Sequence, residues 1–159
     1  MDSEELLNVL CTLEPEAQPS TKPSDMPTIE VSPNHLLSLM RQARNNKRLA
    51  FDMLILHTAV DWIKQDVFEL IYQLFSTRYH HKLRVLVIVP RDNPVVPTVS
   101  LLWQTAEWQE REAYDMFGIL YDNHPDLRRL LLEDEWQGFP LRKDYQDDFM
   151  LVPPAHGGD

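Results

Sequence analysis

The segment from Trp108 to Leu131 reads WQEREAYDMFGILYDNHPDLRRLL, and it concentrates acids, arginines, aromatic residues and a histidine. Thr105, just upstream, is a candidate N-cap, because its hydroxyl can accept a hydrogen bond from the first free amides of a helix. Gly118 stands where a helix commonly ends in a left-handed residue. The sequence therefore predicts a helix that Thr105 caps and that runs to Phe117. The density of polar groups in this segment is typical of an active site or of a surface that holds a partner.

The charges of this predicted helix favour a surface over a catalytic pair. Glu107, Arg111 and Asp115 are spaced four residues apart, which predicts a ladder of ion pairs along an exposed face. A general acid or base usually needs a buried carboxyl with a shifted pKa. Because the pattern exposes most of these acids, with Glu110 and Glu112 among them, we interpret the face as solvated or as covered by a partner.

Downstream of the helix, the sequence predicts one more element and then a tail. HPDLRRLL (124–131) predicts a short helix with Pro125 near its first position and His124 as a capping residue. From Glu133 the chain is polar and contains several prolines, which predicts an extended tail rather than a second core.

Upstream, two helices flank a proline-rich stretch. Residues 3–13 predict a short helix capped by Ser3, and residues 14–27, with four prolines, predict a linker. Apolar residues at helical spacing after Pro33 predict a second helix, with Ser32 as its N-cap; they are Leu36, Leu37, Met40 and Ala43. The folded domain is therefore expected to begin near Thr28.

The segments between these helices predict strands. Strands are expected at residues 28–31, 51–60 and 82–91, and the unbroken apolar run 85–89 predicts a strand covered on both faces. Residues 66–76 fit a helical spacing and an alternating one, and periodicity alone favours the helix. Residues 92–98 predict a proline-rich loop.

Composition excludes several classes of function. The chain has 159 residues, which suits one domain, and its net charge of −10 disfavours nucleic acid as a partner. Only one cysteine and four glycines occur, without HExxH, GxGxxG or GxxxxGK[ST], so no cluster, zinc or nucleotide motif is present. The start is acidic and no stretch approaches the roughly 20 apolar residues of a membrane span, so we expect a soluble, cytoplasmic protein.

The last third of the chain combines aromatic residues with arginines, the types enriched at the centres of protein interfaces. The segment WQGFPLRKDY (136–145) cannot bury much of itself, and we expect a partner to order it. The residues concerned are Trp103, Trp108, Tyr114, Phe117, Trp136, Phe139 and Tyr145, with Arg111, Arg128, Arg129 and Arg142.

These residues carry a resemblance to a known family. EREAYDMFGILYDNHPDLRRLL (110–131) resembles the signature of the thirty-kilodalton subunit of respiratory complex I, which is the C subunit of the bacterial enzyme and the J subunit in cyanobacteria and chloroplasts. The segments 90–108, 138–145 (GFPLRKDY) and 58–62 (TAVDW) resemble the same family. One departure is Asn123, where many members carry glycine; asparagine also tolerates a positive φ.

The resemblance implies an α+β fold with a small, mostly antiparallel sheet packed with helices, and it implies a strand for residues 66–76. The domains expected from it are an N-terminal helix and linker (1–27), a complex I domain of the thirty-kilodalton type (28–132) and an extended C-terminal tail (133–159).

The implied function is that of a non-catalytic structural subunit in the peripheral arm of a proton-pumping NAD(P)H:quinone oxidoreductase. Its partners would be iron–sulfur subunits and the quinone-site subunit, which is the forty-nine-kilodalton type (the D or H subunit). FMN and iron–sulfur clusters would lie in partner chains, with none in this chain. The complex would sit at the cytoplasmic face of the cell or thylakoid membrane, with this chain as a peripheral subunit.

We expect no catalytic, cofactor-binding or metal-binding residues, and a partner interface that spans the signature and the tail. Its predicted residues are Glu110, Arg111, Glu112, Tyr114, Asp115, Phe117, His124, Arg128, Arg129, Trp136, Pro140, Arg142, Lys143, Asp144 and Tyr145. Three alternatives stay open: a ferredoxin-dependent complex of the same type, a membrane-bound [NiFe] hydrogenase or formate hydrogenlyase subunit, and a free-standing enzyme that uses Glu110, Asp115 and His124.

Overall fold

A computed structural model of the chain describes residues 1–147. Its centre is a five-stranded sheet in the order β1-β2-β5-β4-β3, in which β2 and β5 run parallel and all other neighbours are antiparallel. The strands are β1 (Gln18–Pro19), β2 (Thr28–Glu30), β3 (Met53–Trp62), β4 (Val67–Phe75) and β5 (Lys82–Pro90). The predicted α+β fold with a mostly antiparallel sheet is confirmed.

Three helices and a second, two-stranded sheet complete the part that the structure describes. The helices are α1 (Ser3–Leu13), α2 (Pro33–Asn45) and α3 (Thr105–Phe117), and the small parallel sheet pairs β6 (Val95–Pro97) with β7 (Leu120–Asp122). Residues 92–98 therefore contain a short strand where a loop was predicted. None of the helices in residues 1–147 is long and apolar enough to cross a membrane.

The segment 66–76 contains β4, which spans Val67–Phe75, as the family resemblance implies and against the helical periodicity. Phe68, Leu70, Tyr72 and Leu74 are buried on one face of the strand. The opposite face carries half-buried apolar side chains as well, so the segment has large apolar residues at nearly every position and meets the helical spacing by coincidence. Because β3 and β5 flank β4 on both sides, pairing satisfies its backbone groups.

The N-terminal region is part of the core rather than a separate helix and linker. Leu6 and Leu10 of α1 are fully buried, and β1 pairs with β2 inside the region predicted as a linker. Asp2, rather than Ser3, caps α1, since its Oδ1 accepts a hydrogen bond from the Glu5 amide at 2.8 Å. Apolar burial therefore continues across residue 28, the predicted start of the folded domain.

Two further predictions differ from the structure. Ile88 of β5 is exposed, so only one face of that strand is fully covered. Residues 124–132 contain no helix; the amides of residues 130–132 donate to a carboxylate of α3 and not to carbonyls four residues earlier in the chain. Residues 133–147 form turns that fold back on the domain, and the rest of the predicted tail lies outside the described residues.

Candidate partner-binding site

The predicted ion-pair ladder on α3 does not form. Arg111 and Asp115 are buried, and neither side chain pairs with the other. The Arg111 guanidinium instead donates to the carbonyls of Arg128 and Arg129, at 3.2 and 3.1 Å, and lies 5.0 Å above the Trp108 ring. The face expected to meet solvent or a partner therefore holds down the following loop of the same chain.

Asp115 is the centre of this contact. Its Oδ2 accepts hydrogen bonds from three consecutive amides, those of Leu130, Leu131 and Leu132, at 3.1, 2.7 and 3.0 Å. Its Oδ1 accepts from Arg129 at 2.8 Å. Successive amides that converge in this way form an anion-binding concavity, here occupied by the chain's own carboxylate.

The protonation of Asp115 follows from these donors. Burial works to raise the pKa of its carboxyl, but the Arg129 guanidinium and the three amides outweigh burial and hold the pKa below its usual value. Asp115 is therefore ionised at neutral pH, which fits a structural anion and does not fit a general acid.

Arg129 extends the contact into the C-terminal segment. Besides Asp115, it donates to the carbonyls of Trp136 and Gly138, at 3.0 and 3.1 Å. Its guanidinium also lies 5.3 Å above the Phe139 ring. One side chain thus joins the helix to the loop and the loop to the tail.

The tail is fastened a second time, at the end of the central sheet. Buried Asp61 of β3 pairs with Arg91 at 2.9 Å and accepts from the Lys143 amide at 2.8 Å. Arg91 also pairs with Asp144 at 2.6 Å. The tail segment predicted to need a partner for its order is therefore held by its own domain.

Arg142 and Gly118 complete this second contact. Arg142 donates to the Phe117 carbonyl at 2.6 Å and stacks between the rings of Phe68 and Phe139. Gly118 has a φ of 76°, and a Cβ at this position would lie 2.6 Å from the Phe139 ring. The predicted end of α3 at Gly118 is confirmed, and the tail needs glycine there for space as well as for conformation.

Glu110 lies fully buried on the inner side of α3. Its carboxylate accepts hydrogen bonds from the Thr98 hydroxyl and from the Val99 amide, the latter at 2.8 Å. Burial raises the pKa of Glu110 to about 7, although both donors work to lower it. Sequence reasoning missed this burial because the charge spacing placed Glu110 on the outer face.

His124 closes the same region. Its Nε2 donates to the Glu107 carbonyl at 3.1 Å, and its Nδ1 accepts from the Asp126 amide at 3.0 Å. The Glu110 carboxylate lies 3.8 Å from Nε2. His124 therefore stabilises a turn and anchors it to α3, instead of capping the predicted helix. The left-handed conformation expected at Asn123 is confirmed, with a φ of 62°.

A buried histidine that the sequence did not single out lies beneath α3. His57 of β3 donates from Nδ1 to the Ile71 carbonyl at 3.1 Å, and its Nε2 accepts from the Tyr121 hydroxyl at 2.6 Å. The Tyr72 ring stacks on it at 4.0 Å. Burial lowers the pKa of His57 to about 4, so it is neutral at neutral pH. A histidine at an inward position of an alternating strand is the signal that could have found it.

The structure divides the predicted interface residues into two groups. One group is buried inside the chain and cannot contact a partner directly; it consists of Glu110, Arg111, Asp115, Phe117 and the ring of His124. The Arg129 side chain is only 12% exposed. The residues that remain exposed are Glu112, Arg128, Trp136, Lys143 and Asp144; Tyr114, Pro140, Arg142 and Tyr145 are half-buried. Exposed apolar side chains adjoin them, namely Trp108, Leu131 and Leu141.

The buried charged groups of this region bind the loop and the tail to the rest of the chain. Each buried charge is bonded to backbone or side chains of the same chain, and in residues 1–147 no three His, Cys, Asp or Glu side chains come together to hold a metal ion. The outer side presents a mixture of apolar and charged groups, which is the composition of a polar-rimmed protein interface. The fold and this site thus define a small α+β domain with a self-fastened C-terminal segment.

Comparison with known proteins identifies the family. The family described as respiratory-chain NADH dehydrogenase, 30 Kd subunit, matches residues 29–148, and the chain belongs to it. The C subunit of NADH-quinone oxidoreductase from Salinispora tropica is 38% identical over 120 residues, covering 74% of this chain and 49% of the relative. "NADH-ubiquinone oxidoreductase subunit 9" of Reclinomonas americana is 42% identical over 119 residues, covering 74% of this chain and 58% of the relative. The chain spans about half the length of the curated relatives it matches.

Two solved structures share the fold. A trypsin-resistant fragment of Nqo5 superposes with a TM-score of 0.67 at 26% identity, covering 80% of this chain and all of the fragment. A chain of an archaeal membrane-bound sulfane sulfur reductase superposes with a TM-score of 0.77 at 24% identity, covering 90% of this chain and 85% of its own. The second likeness shows the fold alone.

Proposed function

We propose that this chain is a structural subunit of the peripheral arm of a proton-pumping NAD(P)H:quinone oxidoreductase. The observation that carries the proposal is the family match over residues 29–148, which includes the whole charged signature of α3 and the loop after it. The complex would carry electrons from NAD(P)H to quinone and couple them to proton translocation. The chain would attach at the cytoplasmic face as a peripheral member.

In this proposal the chain supplies no electron relay. The flavin and iron–sulfur clusters belong to neighbouring subunits, since a single cysteine cannot supply the ligands of a cluster. The buried carboxylates Glu110 and Asp115 are bonded to the chain's own donors. Their role is to fix the loop and tail so that the outer side keeps one shape, which lowers the entropy lost on binding.

The surface proposed to meet the quinone-site subunit is the exposed side of the loop and tail. Arg128, Leu131 and Trp136 lie there, beside the exposed ring of Trp108. Large apolar and aromatic residues among arginines are the groups that contribute most to affinity at such contacts.

A charge placed at Leu131 tests this surface. The Leu131 side chain is 65% exposed, and the residue bonds to Asp115 only through its backbone amide. We therefore expect Leu131→Asp to leave the fold intact. We expect the variant to copurify with the quinone-site subunit at roughly a tenth of the wild-type yield or less, because a carboxylate would be desolvated in the contact. Leu101→Asp is the matched control, since Leu101 is 74% exposed and lies outside the signature.

The pull-down separates three outcomes. Wild type and Leu101→Asp should both recover the quinone-site and iron–sulfur subunits, identified by mass spectrometry. Equal recovery with Leu131→Asp would contradict the proposed surface. Recovery of the wild-type chain without any quinone oxidoreductase subunit would contradict the proposed function.

A further inference from the structure

One buried N–H group of the loop after β7 lies between two acceptors of α3. The Nε2 atom of His124 donates to the Glu107 carbonyl at 3.1 Å, and the Glu110 carboxylate lies 3.8 Å from the same atom. The side chains of His124 and Glu110 are completely buried, so solvent does not compete for this donor. The present bond is made to a neutral carbonyl, whereas the second acceptor can carry a full charge.

The Glu110 carboxylate has room for a further donor. It accepts hydrogen bonds from the Thr98 hydroxyl and from the Val99 amide. An ionised carboxylate offers about four acceptor positions, and a buried charge is stable only when it is hydrogen-bonded. Because hydrogen bonds to ionised groups are roughly twice as strong as those to neutral groups, loss of the Glu110 proton favours a bond from His124 over the bond to Glu107.

The other groups around Glu110 do not compensate its charge. Within residues 1–147 no lysine or arginine pairs with it, and Arg111, the next residue of α3, donates to the following loop. Tyr72 of β4 and Tyr121 of β7 lie near it, and burial raises the pKa of both hydroxyls, so both stay protonated. His57 of β3, which bonds to Tyr121, is neutral at neutral pH.

Two hydroxyls connect buried Glu110 with the surface. The Thr98 hydroxyl lies 2.7 Å from the Ser100 hydroxyl, and Ser100 precedes Leu101, which is 74% exposed. Each hydroxyl can rotate to donate in either direction, so the chain of hydrogen bonds can reverse when the carboxyl gains or loses its proton. Glu110 therefore has a path for proton exchange although its side chain is covered.

The other ring nitrogen of His124 transmits a movement to the loop. Nδ1 accepts from the Asp126 amide at 3.0 Å, which keeps the ring neutral with its proton on Nε2. The Asp126 carboxylate is bonded to Arg128 at 2.9 Å, and this bond holds the pKa of the carboxyl below its usual value. Closing the gap to Glu110 from 3.8 Å to a charge-assisted bond of about 2.8 Å shifts the ring by about 1 Å, and the Asp126 amide with it.

We propose that His124 is a proton-dependent switch, which binds the Glu107 carbonyl when Glu110 is protonated and the Glu110 carboxylate when Glu110 is ionised. The turn of residues 124–126 moves with the ring, so the protonation state of one buried carboxyl sets the position at which the following loop begins. The pKa of Glu110, about 7, places this change near neutral pH. The switch is a property of the chain itself and goes beyond the proposed function.

Nitrogen NMR of the free full-length chain follows the switch directly. Between pH 6 and 8, the Nε2 resonance of His124 and the carboxyl carbon resonance of Glu110 should shift with one shared midpoint, while Nδ1 keeps the resonance of a neutral ring. A Glu110 carboxyl that titrates without a shift at Nε2 overturns the inference. So does a carboxyl that stays in one state from pH 5 to 9, or a His124 ring that becomes protonated in step with it.

Matched variants on the same helix assign the shift to its cause. Glu110→Gln keeps the shape of the neutral side chain, so the shifts of the His124 Nε2 and of the Asp126 amide should disappear. Glu107→Gln removes a charge one turn earlier but keeps the carbonyl, so both shifts should remain. Persistence of the shifts in Glu110→Gln, or their loss in Glu107→Gln, overturns the inference.

A third variant tests the coupling without replacing Glu110. Thr98→Val removes one donor to the ionised carboxylate, so it should raise the midpoint of the Glu110 carboxyl. The midpoint of the His124 Nε2 shift should rise by the same amount, because one proton governs both resonances. Midpoints that separate in this variant overturn the inference.

Discussion

At the scale of single residues, two buried groups titrate in opposite directions. Burial raises the pKa of Glu110 to about 7 from 4.5, and lowers the pKa of His57 to about 4 from 6.5. Protonated Glu110 therefore makes a contribution to the free energy of unfolding that is fully present below pH 4.5 and is lost as the pH rises through 7. The contribution of neutral His57 is complete above pH 6.5 and lost as the pH falls through 4, so the two effects oppose each other between these limits.

The substitution Glu110→Gln separates the two contributions. The free energy of unfolding of wild type, minus that of the variant, should fall by about 3 kcal/mol between pH 4.5 and 7.5, because only wild type must release a buried proton. Urea titrations across this range measure it. Glu112→Gln, on the exposed side of the same helix, is the control, and parallel curves for wild type and Glu110→Gln would contradict the burial of Glu110.

The two tyrosines around His57 differ in one hydroxyl contact. The Tyr121 hydroxyl donates to His57, while the buried Tyr72 hydroxyl has no partner among the described atoms. Tyr121→Phe should therefore cost about 1–3 kcal/mol in unfolding free energy, whereas Tyr72→Phe should be neutral or stabilising. A cost for Tyr72→Phe equal to that for Tyr121→Phe, in the same urea titrations, would contradict the contacts described for these hydroxyls.

At the scale of elements, the carboxylate of Asp115 joins α3 to the loop after β7. Asp115→Ala should destabilise the chain by about 3–5 kcal/mol, because it removes the carboxylate that pairs with Arg129 and leaves the amides of residues 130–132 without their acceptor. Glu112→Ala, on the exposed side of the same helix, should leave the midpoint of unfolding nearly unchanged. Equal midpoints for the two variants would show that the loop is held by other contacts.

The tail is a second element whose attachment can be measured. Arg142→Ala removes the stacking on Phe68 and Phe139 and the hydrogen bond to Phe117. Trypsin should then cut after Lys143 at least about tenfold faster than in wild type, because cleavage requires the segment to leave the domain. Arg128→Ala, which removes only an exposed pair with Asp126, is the control. The same cleavage rate in all three proteins would contradict a fastened tail.

The sequence predicted most elements but assigned the charged residues to the wrong environment. Apolar spacing with Pro33 located α2, apolar spacing with Gly118 located α3, and short apolar runs located β3 and β5, because these signals are local. The predicted cap Thr105 is instead the first residue of α3, and its hydroxyl donates to the Leu54 carbonyl. The burial of Glu110 and Asp115 depends on Thr98, Val99 and residues 129–132, which approach α3 only in the folded chain. Spacing along one helix could not reveal partners contributed by other segments.

At the scale of the whole molecule, the buried charged groups attach the loop after β7 and the tail to the domain that contains the central sheet. Through Asp115 and Asp61, the C-terminal segment is fastened at two separate points. Its outer side then keeps one shape, and this is the surface proposed above to meet a neighbouring subunit. The central claim is that the charged signature shapes the subunit and performs no chemistry.

The turnover of an assembled complex tests this claim most directly. Complexes that contain Glu110→Gln are purified, and NADH-driven quinone reduction is divided by the amount of this chain that they hold. We predict a rate per assembled complex within about twofold of wild type, whatever the assembly yield, because a structural carboxyl stabilises no transition state. A complex assembled at full occupancy with its rate reduced about 100-fold or more, the loss typical of a missing general acid or base, would contradict the account.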